Sequence, residues 1–442
     1  MSPVATLASD LDAYRAGVDH YLASPGPAAD EAYAPLFEAE AVASLEAAAA
    51  ASANPRRIRA LGRFAAEGHL RRAGADDLAV ARRLLGEPIV TGPHGAVSPQ
   101  EVDLLLAGEP DRERRADLQR ARLRALGSHL AGPLADAAGR RGEAARALGA
   151  PSSRALIARV ADIDLDATAA AGRRVLDGSA DVWMRVLDGA AHEALALTGA
   201  TLTAADLPRL VRAPHREGDL PQGGAPAALA ATSDLLGLST RIGSAASELA
   251  GVAGYAQTMR AGGEALAREG ASARLPVEAR RLGDPALHRA HGIFFAGLIG
   301  EPVWLVRVLG LPDPSGVARA ARAVGLLALR AAAARALPDA EDALPEAVGV
   351  AWPDELRLAD PLAALGPADE LRGRMLAAAL RAHLRDAFGE RWFAEPRAGA
   401  LLGELWLEGG DLEPAALAVE LGAAGLDPSL LVAEAAEAIA EG

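Results

Sequence analysis

Apolar residues recur at helical spacing along almost the whole chain, and the commonest of them is alanine. Hydrophobic residues make up 51% of the sequence but aromatics only 3%, so a core must be built from small aliphatic side chains. Alanine is the best helix former, and its short side chain lets helices approach closely. A mostly α protein with minor β content is therefore expected. The 442 residues leave room for roughly two to four domains, or for one large fold with two lobes.

The helical pattern has punctuation. Residues 28–86 read as helices broken at Asn54-Pro55 and at Gly74. The stretch from Gly86 to Pro99 is dense in turn formers and has short β-prone pieces, which fits a small hairpin. Ser98, Pro99 and Glu101 then form the pattern of a capping box. A charged helix follows from Pro110, then helices over Asp164–Leu187 and Ala190–Leu197. The Pro/Gly-rich segment Pro214–Pro226 reads as a boundary between an N-terminal unit, 1–213, and a C-terminal unit, 214–442. Beyond it, helices are expected over 227–270, 284–299, 315–336, 369–387, 397–408 and 428–440.

Charge and composition narrow the functional classes. The formal net charge is −14, which opposes binding to nucleic acid and to anionic membranes. There is no lysine, so all 45 basic residues are arginines, and there is no cysteine to supply a disulfide, a thiolate ligand or a thiol nucleophile. Asp10, Asp12 and Asp19 interrupt the start of the chain, where a secretory signal would need an apolar run. The most apolar stretch, Val324–Leu337, carries Arg330 and Arg335, so no spanning segment is expected either. A cytoplasmic location is the resulting expectation. The arginine-rich run Arg112–Arg124, interleaved with Glu113 and Asp117, reads as a solvated, salt-bridged helix.

The segment from Leu275 to Gly292 (L-P, R-R, G, D-P, H-R-A-H-G) resembles the part of the thimet oligopeptidase and oligoendopeptidase-like zinc metallopeptidases that carries their third zinc ligand. The family pattern runs L-P, R-R, G, N-P, then H-E-A-x-G. Tyr255–Arg260 resembles the lead-in to the family's H-E-x-x-H helix. Pro110–Arg115, Asp162–Leu165, Phe388–Phe393, Ala398-Gly399, Leu405-Trp406 and Gly409 are similar to other family elements in the same order. The resemblance implies a two-lobed helical fold with a central channel, zinc, and peptide hydrolysis.

The same resemblance implies that the chemistry is lost. An ungapped count places the two histidine positions on Ala261 and Ala265, the general base on Gly262, and the third ligand on Arg289. Residues four apart share a helix face, so two imidazoles there can reach one metal while a glutamate at i+1 activates the bound water. Methyl groups offer no lone pair, and a guanidinium is a donor that repels Zn²⁺. Of two other windows, 247–251 lacks both histidines and 192–196 begins His192-Glu193 but has alanine at its fifth position, and no H-E-x-x-H occurs in the chain. No tyrosine follows Tyr255, and where the family has Y-L-R this chain has Glu370-Leu371-Arg372.

The remaining candidates are Glu264, His288 and His291. The two histidines, i and i+3, can share a helix face. They read as a remnant metal site or as one packed and one solvated ring. Arg289, if buried, needs an acid. Glu264 is the proposed partner, with Asp284, Glu301 or solvent as alternatives. Trp304, Trp392 and Trp406 read as core. Gly262-Gly263 inside a helix marks a close approach, either to a ligand or to another helix. No cofactor is expected. Two functions remain: a catalytically inactive relative that binds peptide or protein, and an enzyme with altered chemistry using His288, His291 and Glu264 in the same cleft.

Overall fold

The computed structural model describes residues 11–92, 95–238, 247, 249–359 and 365–440. It is mostly helical. The described strands are β1 (Val90–Gly92) and β2 (Gly95–Val97), which pair antiparallel with Val90 opposite Val97. They form the expected hairpin, whose tip, Pro93-His94, lies outside the described residues.

Local chemistry sets many helix ends. Asp111, Ser152, Asp164 and Asp284 cap helix starts by accepting backbone N–H groups at Arg114, Ala155, Ala167 and Ala286. The capping box at residue 98 forms: Glu101 accepts from the Ser98 N–H and hydroxyl, both at 2.8 Å, although the regular helix begins only at Val102. Helices span Ser315–Ala336, Pro396–Leu407 and Ser429–Ala440, close to expectation.

Apolar side chains gather in distinct groups. One lies within residues 14–160, joined by Val277 and Leu365. A second lies within residues 213–418 and contains the buried Trp304, Trp392 and Trp406. A third joins residues 171–210 to 326–435. This third core crosses the Pro214–Pro226 segment, so the residues on its two sides share buried surface.

At the centre, helices Gly251–Gly270, Pro285–Gly297 and Gly366–Phe388 pack side by side. Glycines permit the approach. A Cβ at Gly263 would lie 2.6 Å from the His291 carbonyl oxygen and 2.9 Å from Phe295, and one at Gly373 would lie 2.9 Å from the Ala286 carbonyl oxygen. Gly262-Gly263 therefore serves helix packing, with Gly262 set against Leu229.

Three expectations are corrected. The helix break expected near residue 188 falls at Ser179, between Leu165–Gly178 and Ala180–Leu195. Ser179 is wholly buried; its hydroxyl donates to Val175 O and accepts from Arg330, so a tertiary contact sets the break. The charged run is not all solvated: Arg115 is buried against Asp206 and Arg122 against Asp103, seven residues apart on the inner face of Arg112–Ala125. The helix expected over 227–270 is two helices, Ala225–Leu235 and Gly251–Gly270; residues 239–246 and Glu248 between them lie outside the described residues.

Glycine-to-alanine changes inside helices normally gain up to about 1 kcal/mol. Gly325, in Ser315–Ala336, faces open space and should follow that rule. Gly263→Ala should instead lose roughly 1–3 kcal/mol, because the added methyl meets backbone. Chemical denaturation of the two variants checks the opposite signs.

Candidate functional site

The three central helices meet at a cluster of charged side chains, and Glu370 is its hub. Arg260 donates to the Glu370 carboxylate from both terminal nitrogens, at 3.0 and 2.6 Å. Arg289 donates at 3.3 Å, and Arg374 donates through Nε at 3.1 Å and Nη2 at 3.0 Å. Glu264 accepts from Arg260 Nε at 3.3 Å. Arg289 also donates to the Gly366 carbonyl at 3.1 Å. The cluster thus has three guanidiniums and two carboxylates, drawn from all three helices.

Burial alone would push the Glu370 carboxyl up. The guanidiniums outweigh it, Arg374 first and then Arg260 and Arg289, and hold the group at about 2. Arg374 is pushed down by its own burial, which Glu370 partly offsets. Beside the cluster, Asp369 takes Arg63 at 2.6 Å, and Arg372 pairs with Asp284 at 2.6 Å. The start of Gly366–Phe388 is thus tied to Pro55–Ala73 and to the capping residue of Pro285–Gly297.

The expected residues fall as follows. Arg289 does pair with an acid, but the partner is Glu370; Glu264 pairs with Arg260, Asp284 with Arg372, and Glu301 with Arg385. Arg289 and Glu264 are the two ends of one chain, Arg289–Glu370–Arg260–Glu264. Arg260 and Glu264, four apart, both approach Pro285–Gly297 beside the contact at Gly263: a Cβ at Gly292 would lie 2.6 Å from Glu264 Cγ and 2.8 Å from the Arg260 backbone oxygen. Ala261 is exposed and Ala265 half-buried, one position further round the helix. A Cβ at Gly262 would lie 2.1 Å from Leu229 Cδ2, so a side chain there points toward Leu229 and would have to displace it. Arg260, Glu370 and Arg374 were not singled out as partners from sequence. The i, i+4 spacing of Arg260 with Glu264 and of Glu370 with Arg374 is the signal that was available.

The histidines do not form a metal pair. His291 is buried, its Nδ1 accepts from Trp406 Nε1 at 3.3 Å, and the rings meet edge to face. Burial, with a smaller contribution from His288, pushes His291 down to about 3, so it is neutral. His288 is also pushed down by burial, and its Nε2 is buried with no hydrogen-bond partner, so it is not the solvated ring expected. Among the described residues, no group of three or more His, Asp or Glu side chains could hold a metal. The donors at the cluster do not fit zinc, because both carboxylates are occupied by guanidiniums.

A cleft of about 850 Å³ opens beside the cluster. Arg260 and Arg374 reach it, apolar residues such as Ile293, Leu329 and Leu431 line it, and Arg381 and Arg385 face it while paired to Glu434 and Glu301. Among the described residues, no single helix is long and apolar enough to cross a membrane. Comparison with protein-family models and with curated proteins found no match.

Removing the hub carboxylate leaves three partly buried cations around a neutral amide. Glu370→Gln should cost roughly 3–5 kcal/mol. Acid acts at two levels. His291 is neutral in the fold and titrates near 6.5 when unfolded, so its contribution is lost as pH falls from about 6.5 toward 3. Glu370, held near 2 against an ordinary 4.5, loses its contribution between about 4.5 and 2. Denaturation midpoints measured from pH 7 to 5 should fall less steeply in His291→Gln, which keeps an acceptor for Trp406; equal slopes would contradict the assignment.

Proposed function

We propose that this chain is a catalytically inactive relative of the helical zinc oligopeptidases, whose cleft beside the Glu370 cluster binds a peptide or an extended protein segment. One observation carries the reading. Arg260 and Glu264, four apart on the helix packed against the H-R-A-H-G helix, join Arg289 and Glu370 in one ion cluster. In this reading, Arg260 and Glu264 occupy the two histidine positions, Ala261 the general-base position, Arg289 the third ligand, and Glu370 the position of the lost tyrosine. The ungapped count thus shifts by one residue, about 100° around the helix. The ion cluster replaces the metal as the tie between helices. Without metal ligands or a general base there is no metal-activated water, so zinc-dependent peptide hydrolysis has no mechanism here.

The cleft supports a binding role. Its volume suits several side chains of an extended peptide, and its walls are largely apolar. The two-lobed form, the central channel and a cytoplasmic location belong to the same proposal. An enzyme with altered chemistry draws less support, since His291 is neutral and bound to Trp406 and Glu264 is held by Arg260.

Two measurements test this. Purified protein should contain far less than one zinc per chain and show no chelator-sensitive cleavage across a broad peptide library; stoichiometric zinc with such cleavage would defeat the proposal. Restoring ligands tests the register. Arg260→His, Ala261→Glu, Glu264→His and Arg289→Glu together should confer stoichiometric zinc binding on a protein whose circular dichroism remains helical. The set Ala261→His, Gly262→Glu, Ala265→His and Arg289→Glu should not, because Gly262 is packed on Leu229.

A further inference from the structure

A second cavity, of about 310 Å³, lies where helices Pro55–Ala73, Ala75–Gly86 and Ala131–Ala147 meet the starts of Pro285–Gly297 and Gly366–Phe388. Its lining is unusual for a chain of net charge −14: Arg63, Arg71, Arg82, Arg141 and Arg289 face Glu67 and Asp369. Five positive charges against two negative ones leave the described lining at +3.

Three of these arginines are committed. Arg63 is held by Asp369 and Glu67, Arg289 by Glu370 and the Gly366 carbonyl, and Arg71 by Asp30 and the Tyr21 hydroxyl. Arg82 and Arg141 have no hydrogen-bond or ion-pair partner among the described residues. Arg141 is partly buried, and its Nε is fully buried without an acceptor. A guanidinium partly withdrawn from water, with its Nε unsatisfied and no counter-charge, is held at a cost. Burial also pushes the Arg141 guanidinium down, partly offset by the charge of Glu67. The 23-residue helix Gly366–Phe388 begins at the cavity wall, adding the positive end of its dipole.

We propose that this cavity binds the phosphate group of a small phosphomonoester, with Arg141 as the inner ligand and Arg82 at the entrance. Two uncommitted guanidiniums and a helix start match a phosphate of charge about −1.5 to −2, whereas a monocarboxylate would leave one cation unmatched. The volume exceeds that of bare phosphate, and Leu78, Ile157, Pro285 and Leu365 give the rest of the ligand an apolar wall. The proposal does not rest on the peptide-cleft reading: Arg289 borders both, but neither Arg82 nor Arg141 takes part in the Glu370 cluster.

The test is calorimetric titration and thermal melting of the full chain at constant ionic strength, with inorganic phosphate, glycerol phosphate and acetate as probes. Wild type should bind both phosphates saturably and melt higher with them, and acetate should bind more weakly. Arg141→Gln should weaken both phosphates roughly tenfold or more, and its ligand-free melting temperature should equal or exceed wild type because an unpaired charge is gone. Arg82→Gln, at an exposed position, should weaken them to a lesser extent, and Arg173→Gln, far from the cavity, should change nothing. The proposal is overturned by an absence of saturable binding up to about 10 mM, by unchanged affinity in Arg141→Gln, by acetate binding as well as glycerol phosphate, or by a ligand-free Arg141→Gln protein that melts well below wild type, since that would make Arg141 a structural residue.

Discussion

One carboxylate organises the centre of this protein. Glu370 receives hydrogen bonds from three guanidiniums on three helices, and it is mostly removed from water. Neither partner is tolerable alone in that position. A lone buried carboxylate would take up a proton, and three clustered guanidiniums without it would repel each other. Together they fix the azimuth of each helix, because a side chain displaced by one residue points about 100° away and cannot reach the hub. The glycines at 263, 292 and 373 belong to the same constraint, since they bring the backbones close enough for these side chains to meet.

This explains why the fold was legible and the site was not. Alanine content, capping residues and proline positions are local signals, and most helices lie where those signals put them. The failures are tertiary. Ser179 ends a helix because Arg330 reaches its hydroxyl from 151 residues away. Arg115 and Arg122 look solvated in a charged run, yet both are buried, Arg115 against the buried Asp206 and Arg122 beneath the exposed Asp103. At the centre, Arg289 reads from the sequence as a cation in need of an acid, but the expected partner is Glu264, with Asp284, Glu301 or solvent as alternatives, and Glu370 is not among them. Glu264 and Glu370 lie 25 residues before and 81 residues after Arg289, and nothing local ranks them.

A resemblance in motif order is likewise insensitive to a slip of one residue, while the geometry is not. Ala261 is exposed and Gly262 is packed on Leu229, so those positions could not present ligands to Pro285–Gly297. Arg260 and Glu264 both approach that helix. The chain therefore stations charged groups, not inert ones, where the proposed ancestry would have stationed metal ligands. This suits a structural ion cluster better than simple decay of a catalytic centre.

The account stands or falls on whether these charges act as one unit. A double-mutant cycle on Arg260 and Glu370, read by chemical denaturation with Arg260→Gln, Glu370→Gln and the pair, measures that directly. Coupling of roughly 2–3 kcal/mol, with the double variant losing much less than the sum of the singles, is the predicted result. Additive losses, with coupling below about 0.5 kcal/mol, would show that the two side chains merely lie near each other and would contradict the central role given to Glu370.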